Sequence, residues 1–185
     1  MSKGLVVFNG KTEKGLDILV RYPNSDDGQI LCDYINTLSK EKTFILFQGE
    51  QVKLDEEQKY LELQLKNIER NKSVLLLAFY NNSLIGVTSI EGKDKAEKHI
   101  ASFGISIAQG FRAKGVGKLF MDLIIKEAEQ NLKGLKIILL SVFGDNEVAK
   151  SLYNKFGFQE FGSLPGGILH AGKPVDHIYM YKKVD

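Results

Sequence analysis

The sequence has 185 residues, of which 43% are hydrophobic and 26% are charged. This composition and length are typical of a globular chain with one core, so we expect a single domain over residues 1–185. The 25 basic and 23 acidic residues leave a formal net charge of +2. Such a small excess argues against nucleic acid as a partner, because phosphate contacts require clustered basic charge.

The number of cysteines and the length of the apolar runs indicate in which cellular compartment the protein is expected. Cys32 is the single cysteine of the sequence, so no internal disulfide can form. The first residues lack the charged start and long apolar core of a secretion signal. No apolar run reaches the roughly 20 residues that a membrane-spanning helix needs. We therefore expect a cytoplasmic protein without a membrane partner.

The first half of the chain predicts strands and helices in alternation. Apolar, β-branched runs bounded by turn residues predict strands over 17–22, 73–80 and 83–91. Apolar residues at helical spacing predict one helix over 31–38 and a second within the charge-rich stretch 53–72, ending near Asn71. Asn81 and Asn82 tolerate a tight turn, so the second and third strands should pair as a hairpin.

The second half continues the pattern around a glycine-rich loop. Strands are predicted over 99–107 and 136–142, and helices over 116–131 and 146–156. The run at 136–142 is continuously apolar, as in a strand buried on both faces. A closing hairpin is predicted over 159–164 and 175–181, around the loop Pro165 to Lys173. Mixed strands and helices indicate an α/β or α+β domain, with a mixed sheet flanked by helices.

The loop Arg112 to Gly117 (RAKGVG) lies between a predicted strand and a predicted helix. Backbone N–H groups and the positive end of the helix dipole therefore converge there, which favours an anion. Gly115 and Gly117 allow close approach of a ligand to the backbone. The charges of Arg112, Lys114 and Lys118 suit a pyrophosphate. Two glycines before a helix can also be an ordinary turn.

Two common nucleotide-binding loops do not fit this spacing. A Walker A loop needs Ser or Thr after its lysine, and Leu119 follows Lys118. A dinucleotide fingerprint needs a third Gly or Ala where Phe120 stands. The loop therefore predicts an anion site of another kind.

Two segments resemble motifs of the GNAT acetyltransferase superfamily. Residues 103–120 (FGISIAQGFRAKGVGKLF) resemble its motif A, an apolar strand followed by Gln or Arg, two residues, Gly, one residue, and Gly or Ala. Residues 146–158 (NEVAKSLYNKFGF) resemble its motif B. We place motif A at about 99–131 and motif B at about 136–162. The resemblance covers residues 75–162.

The resemblance implies a mixed, mostly antiparallel central sheet and acetyl-CoA as co-substrate. In that family the strand before the loop parts from its neighbour and pairs with the pantetheine arm through its backbone. By resemblance the pairing residues are Ile105, Ser106 and Ile107. The loop amides that hold the pyrophosphate are those of Ala113, Lys114, Gly115, Val116, Gly117 and Lys118. The coenzyme then occupies a cleft between the strands ending at Ile107 and Val142.

Asn146 and Tyr153 lie two turns apart on one predicted helix, so their side chains point to the same side. The resemblance implies that Asn146 bonds the amide arm of the coenzyme. It also implies that Tyr153 lies near the sulfur, where a phenol can donate a proton to the leaving thiolate. Simpler interpretations exist, since Asn is a favoured helix cap and Tyr153 lies on an apolar stripe.

The general base is not evident. Protein N-terminal alanine acetyltransferases, which the sequence also resembles, usually carry Glu where Ser141 stands. The candidates are water and the side chains of Glu50, Glu91, Asp176 and His177. An α-amine, with a pKa near 8, needs less help than a lysine near 10.4, because more of it is uncharged at about pH 7.

The remaining expectations concern the acceptor and the partners. We expect helix Leu31 to Leu38, the segment Phe44 to Glu50 and the loop Pro165 to Lys173 to wall the acceptor pocket. The acceptor is a small amine or a peptide or protein amine, including an N-terminus or a lysine. A non-catalytic acyl-CoA-binding regulatory domain is the alternative of another class. The chain is expected to be a monomer or homodimer. No ligand spacing for a metal is present, so none is predicted.

Overall fold

A computed structural model describes residues 4–184, in which one sheet of eight strands packs between four α-helices. The strands are β1 (Val6–Lys11), β2 (Asp17–Arg21), β3 (Ser73–Tyr80), β4 (Ser83–Gly92), β5 (Ile100–Ile107), β6 (Ile137–Phe143), β7 (Gln159–His170) and β8 (Lys173–Lys183). The helices are α1 (Gly28–Lys40), α2 (Leu54–Glu69), α3 (Val116–Asn131) and α4 (Glu147–Lys155). None of the helices in this described part is long and apolar enough to cross a membrane.

The sheet is mixed and mostly antiparallel, as predicted. Its strand order is β1-β2-β3-β4-β5-β6-β8-β7, and β5 with β6 is the parallel pair among the described strands. The predicted helices and strands are all present, with ends that differ by a few residues. The predicted domain spans residues 1–185, of which residues 1–3 and 185 lie outside the described part of the chain.

The strand buried on both faces is β3 and not β6. Residues Val74 to Ala78 of β3 are each 0% exposed. In β6 buried and partly exposed residues alternate, and Ser141 is exposed. The prediction of two-sided burial for β6 was therefore wrong, because only one of its faces is fully covered.

Opposite faces of the sheet carry α1 and α3. The Ser106 hydroxyl of β5 lies 3.1 Å from the Tyr34 hydroxyl of α1. The next side chain, Ile107, points to the other face, where its Cδ1 lies 3.4 Å from the position of a Cβ on Gly117 of α3. Successive strand residues point to opposite faces, so these two contacts fix the layers.

The other two helices follow the same division. Gln64 of α2 donates a 3.0 Å hydrogen bond to Glu91, whose side chain is on the α1 face. The ring of Tyr153 in α4 meets Phe103, on the α3 face, with the ring centroids 5.8 Å apart. One helix pair therefore covers each face of the sheet.

Within residues 4–184, no helix covers the α1 face of β6 and β8. We call the surface formed there by Ser141, Phe143, His177 and Tyr179 the open face. These residues share one face because Ser141 opposes Tyr179 and Phe143 opposes His177 in the β6–β8 ladder. The open face borders the carboxyl end of β6.

Both ends of the chain are more regular than the sequence indicates. The edge strand β1 has no counterpart among the predicted elements and pairs with β2. The predicted loop Pro165 to Lys173 is mostly strand, since β7 runs to His170 and β8 starts at Lys173. A register shift between Leu164 and Ile168 accommodates the intervening proline and glycines.

Two leucines of α2 test how the fold is stabilised. Leu61 is 0% exposed and Leu63 is 54% exposed. Leu61→Ala should lower the free energy of unfolding by about 2–5 kcal/mol, because it removes buried methyl groups and leaves a cavity. Leu63→Ala, the matched control, should change it by less than about 0.5 kcal/mol. Urea denaturation measures both values, and equal values would contradict this assignment of the buried face.

Candidate functional site

The site begins where β5 and β6 part. The two strands pair only at Ile100–Ile137, Ala101–Ile138 and Ser102–Leu139. Beyond these pairs β5 continues to Ile107 while paired on its other edge with β4. Every second residue of this stretch therefore has backbone groups that face the gap and lack a strand partner. The predicted positions Ile105, Ser106 and Ile107 all lie on this unpaired stretch.

The loop after β5 has two residues in the left-handed region. Ala113 has φ 59° and Gly115 has φ 83°, and α3 begins at the next residue. A side chain at Gly115 would bring a Cβ within 3.1 Å of Thr12 Cβ, besides the strain of its positive φ. Glycine at this position thus lets the loop close against the turn between β1 and β2.

That turn, which we call the N-terminal turn (residues 12–16), fixes the direction of the loop peptides. Thr12 Oγ1 donates a 2.8 Å hydrogen bond to the Lys114 carbonyl, and Lys14 Nζ donates a 3.0 Å bond to the Ala113 carbonyl. In a trans peptide the N–H points opposite to the carbonyl. The amides of Lys114 and Gly115 therefore point away from the N-terminal turn.

The amides of residues 113–118 form the candidate anion site. Within residues 4–184, no backbone or side-chain oxygen accepts a hydrogen bond from any of them. Those of the first turn of α3 also carry the positive end of the helix dipole. Consecutive free N–H groups at a helix start are suited to an anion such as a pyrophosphate. Gly117 lies among them, and a Cβ there would lie 3.3 Å from Leu152 Cδ2 and 3.4 Å from Ile107 Cδ1, so glycine lets the start of α3 pack closely against α4 and β5.

Two of the three basic side chains at the loop, Arg112 and Lys118, are already paired with carboxylates. Arg112 Nη2 lies 2.7 Å from Glu41 Oε2, and Lys118 Nζ lies 2.5 Å from Glu13 Oε2. The hydrogen bond from Lys118 lowers the pKa of Glu13, and the same bond raises the pKa of Lys118. An anion at the loop would therefore compete with Glu13 for Lys118.

Lys114 and Arg112 also have partners within the loop region. The ammonium of Lys114 lies 5.2 Å from the centroid of the Phe111 ring, a cation–π contact. Arg112 Nε donates a 2.9 Å hydrogen bond to the Ile107 carbonyl. Arg112 thus ties the end of β5 to the end of α1, where Glu41 lies.

Asn146 caps α4. Its Oδ1 accepts a 3.1 Å hydrogen bond from the Ala149 amide. Its Nδ2 has no hydrogen-bond partner among the residues that the structure describes. The cap uses the oxygen, so the amide nitrogen stays available as a donor.

Tyr153 lies two turns further along α4, and its ring is buried at 7% exposure. It packs edge-on against Phe103 and lies 6.0 Å from the Phe158 ring, centroid to centroid. Burial raises the pKa of Tyr153 to about 12. No described side-chain nitrogen or oxygen is both fully buried and unbonded, so the unbonded Tyr153 hydroxyl reaches solvent. The ring belongs to the core, as the simpler interpretation held, while the hydroxyl remains free.

Two of the candidate bases are poorly placed. Glu91 opposes Ser102 at the end of β5 remote from the loop, and it accepts hydrogen bonds from Gln64 and Ser89. Glu50 is exposed, and backbone hydrogen bonds, including one from the Gln48 amide, lower its pKa. A lowered pKa makes a carboxylate a weaker proton acceptor, so neither placement favours a base.

The other two candidates lie on β8. Asp176 Oδ1 accepts a 3.1 Å hydrogen bond from the Gly166 amide and holds the β7 bulge. His177 is on the open face, opposite Phe143, with its Nδ1 3.2 Å from the Tyr179 hydroxyl. Both residues lie beside the carboxyl end of β6, since the Asp176 carbonyl accepts a 2.7 Å hydrogen bond from the Gly144 amide and His177 opposes Phe143.

The three predicted walls of the acceptor pocket border the separated strands. Tyr34 of α1 reaches Ser106 on β5. The segment after α1 places the Phe44 ring 5.8 Å from the Phe143 ring, centroid to centroid. The same segment reaches the β7–β8 hairpin, where Gln48 Oε1 accepts a 3.2 Å bond from the Ala171 amide.

A histidine–aspartate hydrogen bond that the sequence did not indicate lies among these walls. His170 Nδ1 is 2.8 Å from Asp145 Oδ2. His170 is the last residue of β7, and Asp145 is between β6 and α4. No spacing rule relates positions 145 and 170, so only the folded chain shows the pair. Grouped metal ligands, by contrast, are not found in the described part of the chain.

Comparison with known sequences places this site in context. The model of the Acetyltransferase (GNAT) family matches residues 36–158. The chain is similar to the L-amino acid N-acetyltransferase AaaT of Escherichia coli strain K12, with 30% identity over 106 residues. That match spans 57% of this chain and 65% of the E. coli protein, which is just under two thirds of its length.

Comparison with solved structures supports the same fold. An acetyltransferase of the GNAT family from Streptococcus pneumoniae superposes with a TM-score of 0.82 and 26% identity, covering 91% of this chain and 99% of that one. The Salmonella typhimurium protein yncA, solved with its cofactor acetyl-CoA, has a TM-score of 0.77 and 16% identity, covering 91% and 94%. The second likeness concerns the fold alone.

The ion pair of Lys118 yields a test of the loop. Glu13→Gln should tighten coenzyme A binding about two- to fivefold at low salt, because it removes a carboxylate that competes for Lys118. Isothermal titration calorimetry measures the affinity, and the gain should shrink at high salt. Asp17→Asn is the matched control, since its carboxylate on β2 pairs with Lys11 instead. Weaker binding by Glu13→Gln would contradict an anion site at this loop.

Proposed function

Since the chain belongs to the GNAT acetyltransferase family, we propose that it transfers the acetyl group of acetyl-CoA to an amine. The observation that carries this proposal is the run of free amides at residues 113–118, next to the gap between β5 and β6. The free amides suit the pyrophosphate of the coenzyme, and the gap between the strands suits its pantetheine arm. The residues present therefore fit the coenzyme.

In the proposed binding mode, the backbone groups of the stretch Ile105, Ser106 and Ile107 that face the gap, which belong to every second residue, pair with the pantetheine arm. The loop amides bind the pyrophosphate, and Asn146 donates from Nδ2 to the arm while its Oδ1 caps α4. The Salmonella protein of this fold was solved with acetyl-CoA, which supports the choice of coenzyme. Acetyl-CoA supplies the activated acyl group, which an amine attacks directly without a protein nucleophile.

The proposed acceptor is an α-amino group, on a free amino acid or at the start of a peptide. Two considerations support it. The E. coli relative is named as an L-amino acid N-acetyltransferase. An α-amine near pKa 8 is about one-tenth uncharged at about pH 7, whereas a lysine amine near 10.4 is uncharged in well under one part in a thousand.

Tyr153 is proposed as the proton donor to the departing sulfur. A tyrosine hydroxyl is protonated at neutral pH, and burial raises the pKa of Tyr153 further, to about 12. A phenol at this place can donate a hydrogen bond to the thiolate as charge develops on sulfur. Its ring contacts with Phe103 and Phe158 fix the direction of the hydroxyl.

The direct test measures free thiol released from acetyl-CoA in the presence of amino acids, N-terminal peptides, lysine peptides and polyamines. Release with α-amines is the expected result. Release only with lysine peptides or polyamines would retain the transferase and reject the α-amine. Coenzyme binding by calorimetry without release on any amine would instead favour a regulatory acyl-CoA-binding domain.

Tyr153→Phe tests the proton donor. The change keeps the ring packing and removes only the hydroxyl, so kcat should fall about 10²-fold while coenzyme affinity stays within about twofold. Steady-state kinetics and calorimetry measure the two quantities. Tyr60→Phe on α2 is the matched control and should leave kcat unchanged. Equal kcat for Tyr153→Phe and the parent would remove Tyr153 from the mechanism.

The raised pKa of Tyr153 also predicts a pH profile. Because the pKa lies at about 12, the hydroxyl retains its proton throughout the range in which an α-amine deprotonates. The rate should therefore rise with pH and reach a plateau near about pH 9, without a decline up to about pH 10. Initial rates of thiol release across this range measure the profile. A decline above about pH 8.5 that is absent in Tyr153→Phe would show that Tyr153 ionises with a much lower pKa.

A further inference from the structure

We propose that His170, oriented by Asp145, is the group that takes the proton from the acceptor amine. The inference deepens the proposed function and rests on it, since it assigns the base that the sequence leaves open. It is carried by the position of the two side chains, by the packing of the imidazole ring, and by the free ring nitrogen.

The hydrogen bond to Asp145 fixes which ring nitrogen of His170 carries the hydrogen. His170 Nδ1 and Asp145 Oδ2 are 2.8 Å apart. An ionised carboxylate can only accept, so Nδ1 is the donor and carries the hydrogen. In the neutral ring this leaves a lone pair on Nε2, the nitrogen on the opposite side. Asp145 thus acts as a positioning residue that selects the tautomer able to accept a proton.

Aromatic packing holds the ring in place. The Phe44 ring lies 4.4 Å from the His170 ring and the Phe143 ring lies 5.4 Å away, measured between centroids. The side chain of His170 is 19% exposed. These contacts restrict the ring, while Asp145 restricts its rotation about χ2.

Nε2 is the polar atom of this ring that remains free. No described residue forms a hydrogen bond with it, and no unbonded side-chain nitrogen among the described residues is fully buried. Nε2 therefore reaches solvent, where an incoming amine can approach it. A restrained imidazole with one open nitrogen is the arrangement that general base catalysis requires.

The location joins the two halves of the proposed site. Asp145 immediately precedes Asn146, the cap of α4 and a proposed coenzyme contact. Phe143 ends β6, one of the two strands that part. Phe44 belongs to the segment expected to wall the acceptor pocket. The pair therefore lies where the coenzyme arm and the acceptor are expected to meet.

The other candidates lack these features together. His177 is held by the Tyr179 hydroxyl at 3.2 Å, and a hydroxyl can donate or accept, so it does not fix the tautomer. Asp176 Oδ1 is occupied by the Gly166 amide. His170 is thus the candidate with a carboxylate partner, ring packing and a free nitrogen.

The reaction moves two protons, one from the amine nitrogen and one to the departing sulfur, and one residue is assigned to each. The reaction forms one C–N bond and breaks one C–S bond, whose electron pair leaves on sulfur. His170 Nε2 accepts the proton that nitrogen loses, and Tyr153 donates the proton that sulfur gains. Solvent then removes the proton from His170 and returns one to Tyr153, so both residues regain their starting states.

The experiment compares His170→Ala with His99→Ala, a matched control on the exposed residue before β5. We expect His170→Ala to lower kcat/KM for the α-amine about 10²-fold and to leave coenzyme affinity within about twofold. Added imidazole should restore part of the rate, because a free base can occupy the vacated space. Asp145→Asn should lower the rate less, without imidazole rescue. His99→Ala should match the parent.

Three kinetic results would overturn the assignment. The first is a parent-like rate for His170→Ala. The second is a lowered rate that imidazole does not restore in a variant whose circular dichroism spectrum matches that of the parent. The third is a larger, imidazole-rescued loss in His177→Ala. Each of these outcomes leaves acetyl transfer by the parent intact.

A second measurement separates this inference from the proposed function. Nitrogen-15 spectra of the histidine rings, assigned with His170→Ala, report which ring nitrogen carries hydrogen. We expect hydrogen on Nδ1 of His170, and a shift of its Nε2 signal, but not of His99, when L-phenylalanine amide is added with coenzyme A. Hydrogen on Nε2, or no shift, overturns the assignment even if the parent acetylates amines. If the parent protein releases no thiol from acetyl-CoA with any amine, the proposed function itself is rejected.

Discussion

The early separation of two parallel strands is the constraint on which the site depends. β5 and β6 remain paired for three residue pairs and then diverge, while each keeps its antiparallel partner on the other side. The sheet is thereby held together at its outer edges and open in the middle. Backbone groups of β5 that a closed sheet would satisfy are left for a ligand, and the same opening brings α1 and the β7–β8 hairpin to its border.

The candidate site also requires a loop after β5 whose amides point away from the N-terminal turn. Gly115 supplies the left-handed turn, but the direction of the neighbouring peptides comes from Thr12 and Lys14, about a hundred positions earlier in the chain. The candidate anion site is therefore composite, with the motif providing the amide donors and the N-terminal turn orienting them. The carboxylate of Glu13, from the same turn, sets how much of the charge on Lys118 is available.

Much of this could be predicted from sequence, because periodic elements and local motifs depend on neighbouring residues. The mixed sheet, the four helices and the positions of Asn146 and Tyr153 belong to this class. β1 was missed because the run Val6 to Lys11 contains Asn and Gly and lies at an edge, where pairing with β2 replaces intrinsic preference. The pairs Glu13–Lys118 and Asp145–His170 were missed because each joins segments that only the folded chain brings together.

The N-terminal turn has a consequence for dynamics. Among the described strands, β1 pairs with β2 alone, and its carboxyl end leads into the residues that bond the loop carbonyls. Occupation of the loop amides would polarise those carbonyls and strengthen the bonds from Thr12 and Lys14. Hydrogen exchange of the β1 amides would then slow when a ligand binds the amides of residues 113–118. The exchange rates of the β1 amides would thus report whether the loop amides hold a ligand, although β1 itself does not contact that ligand.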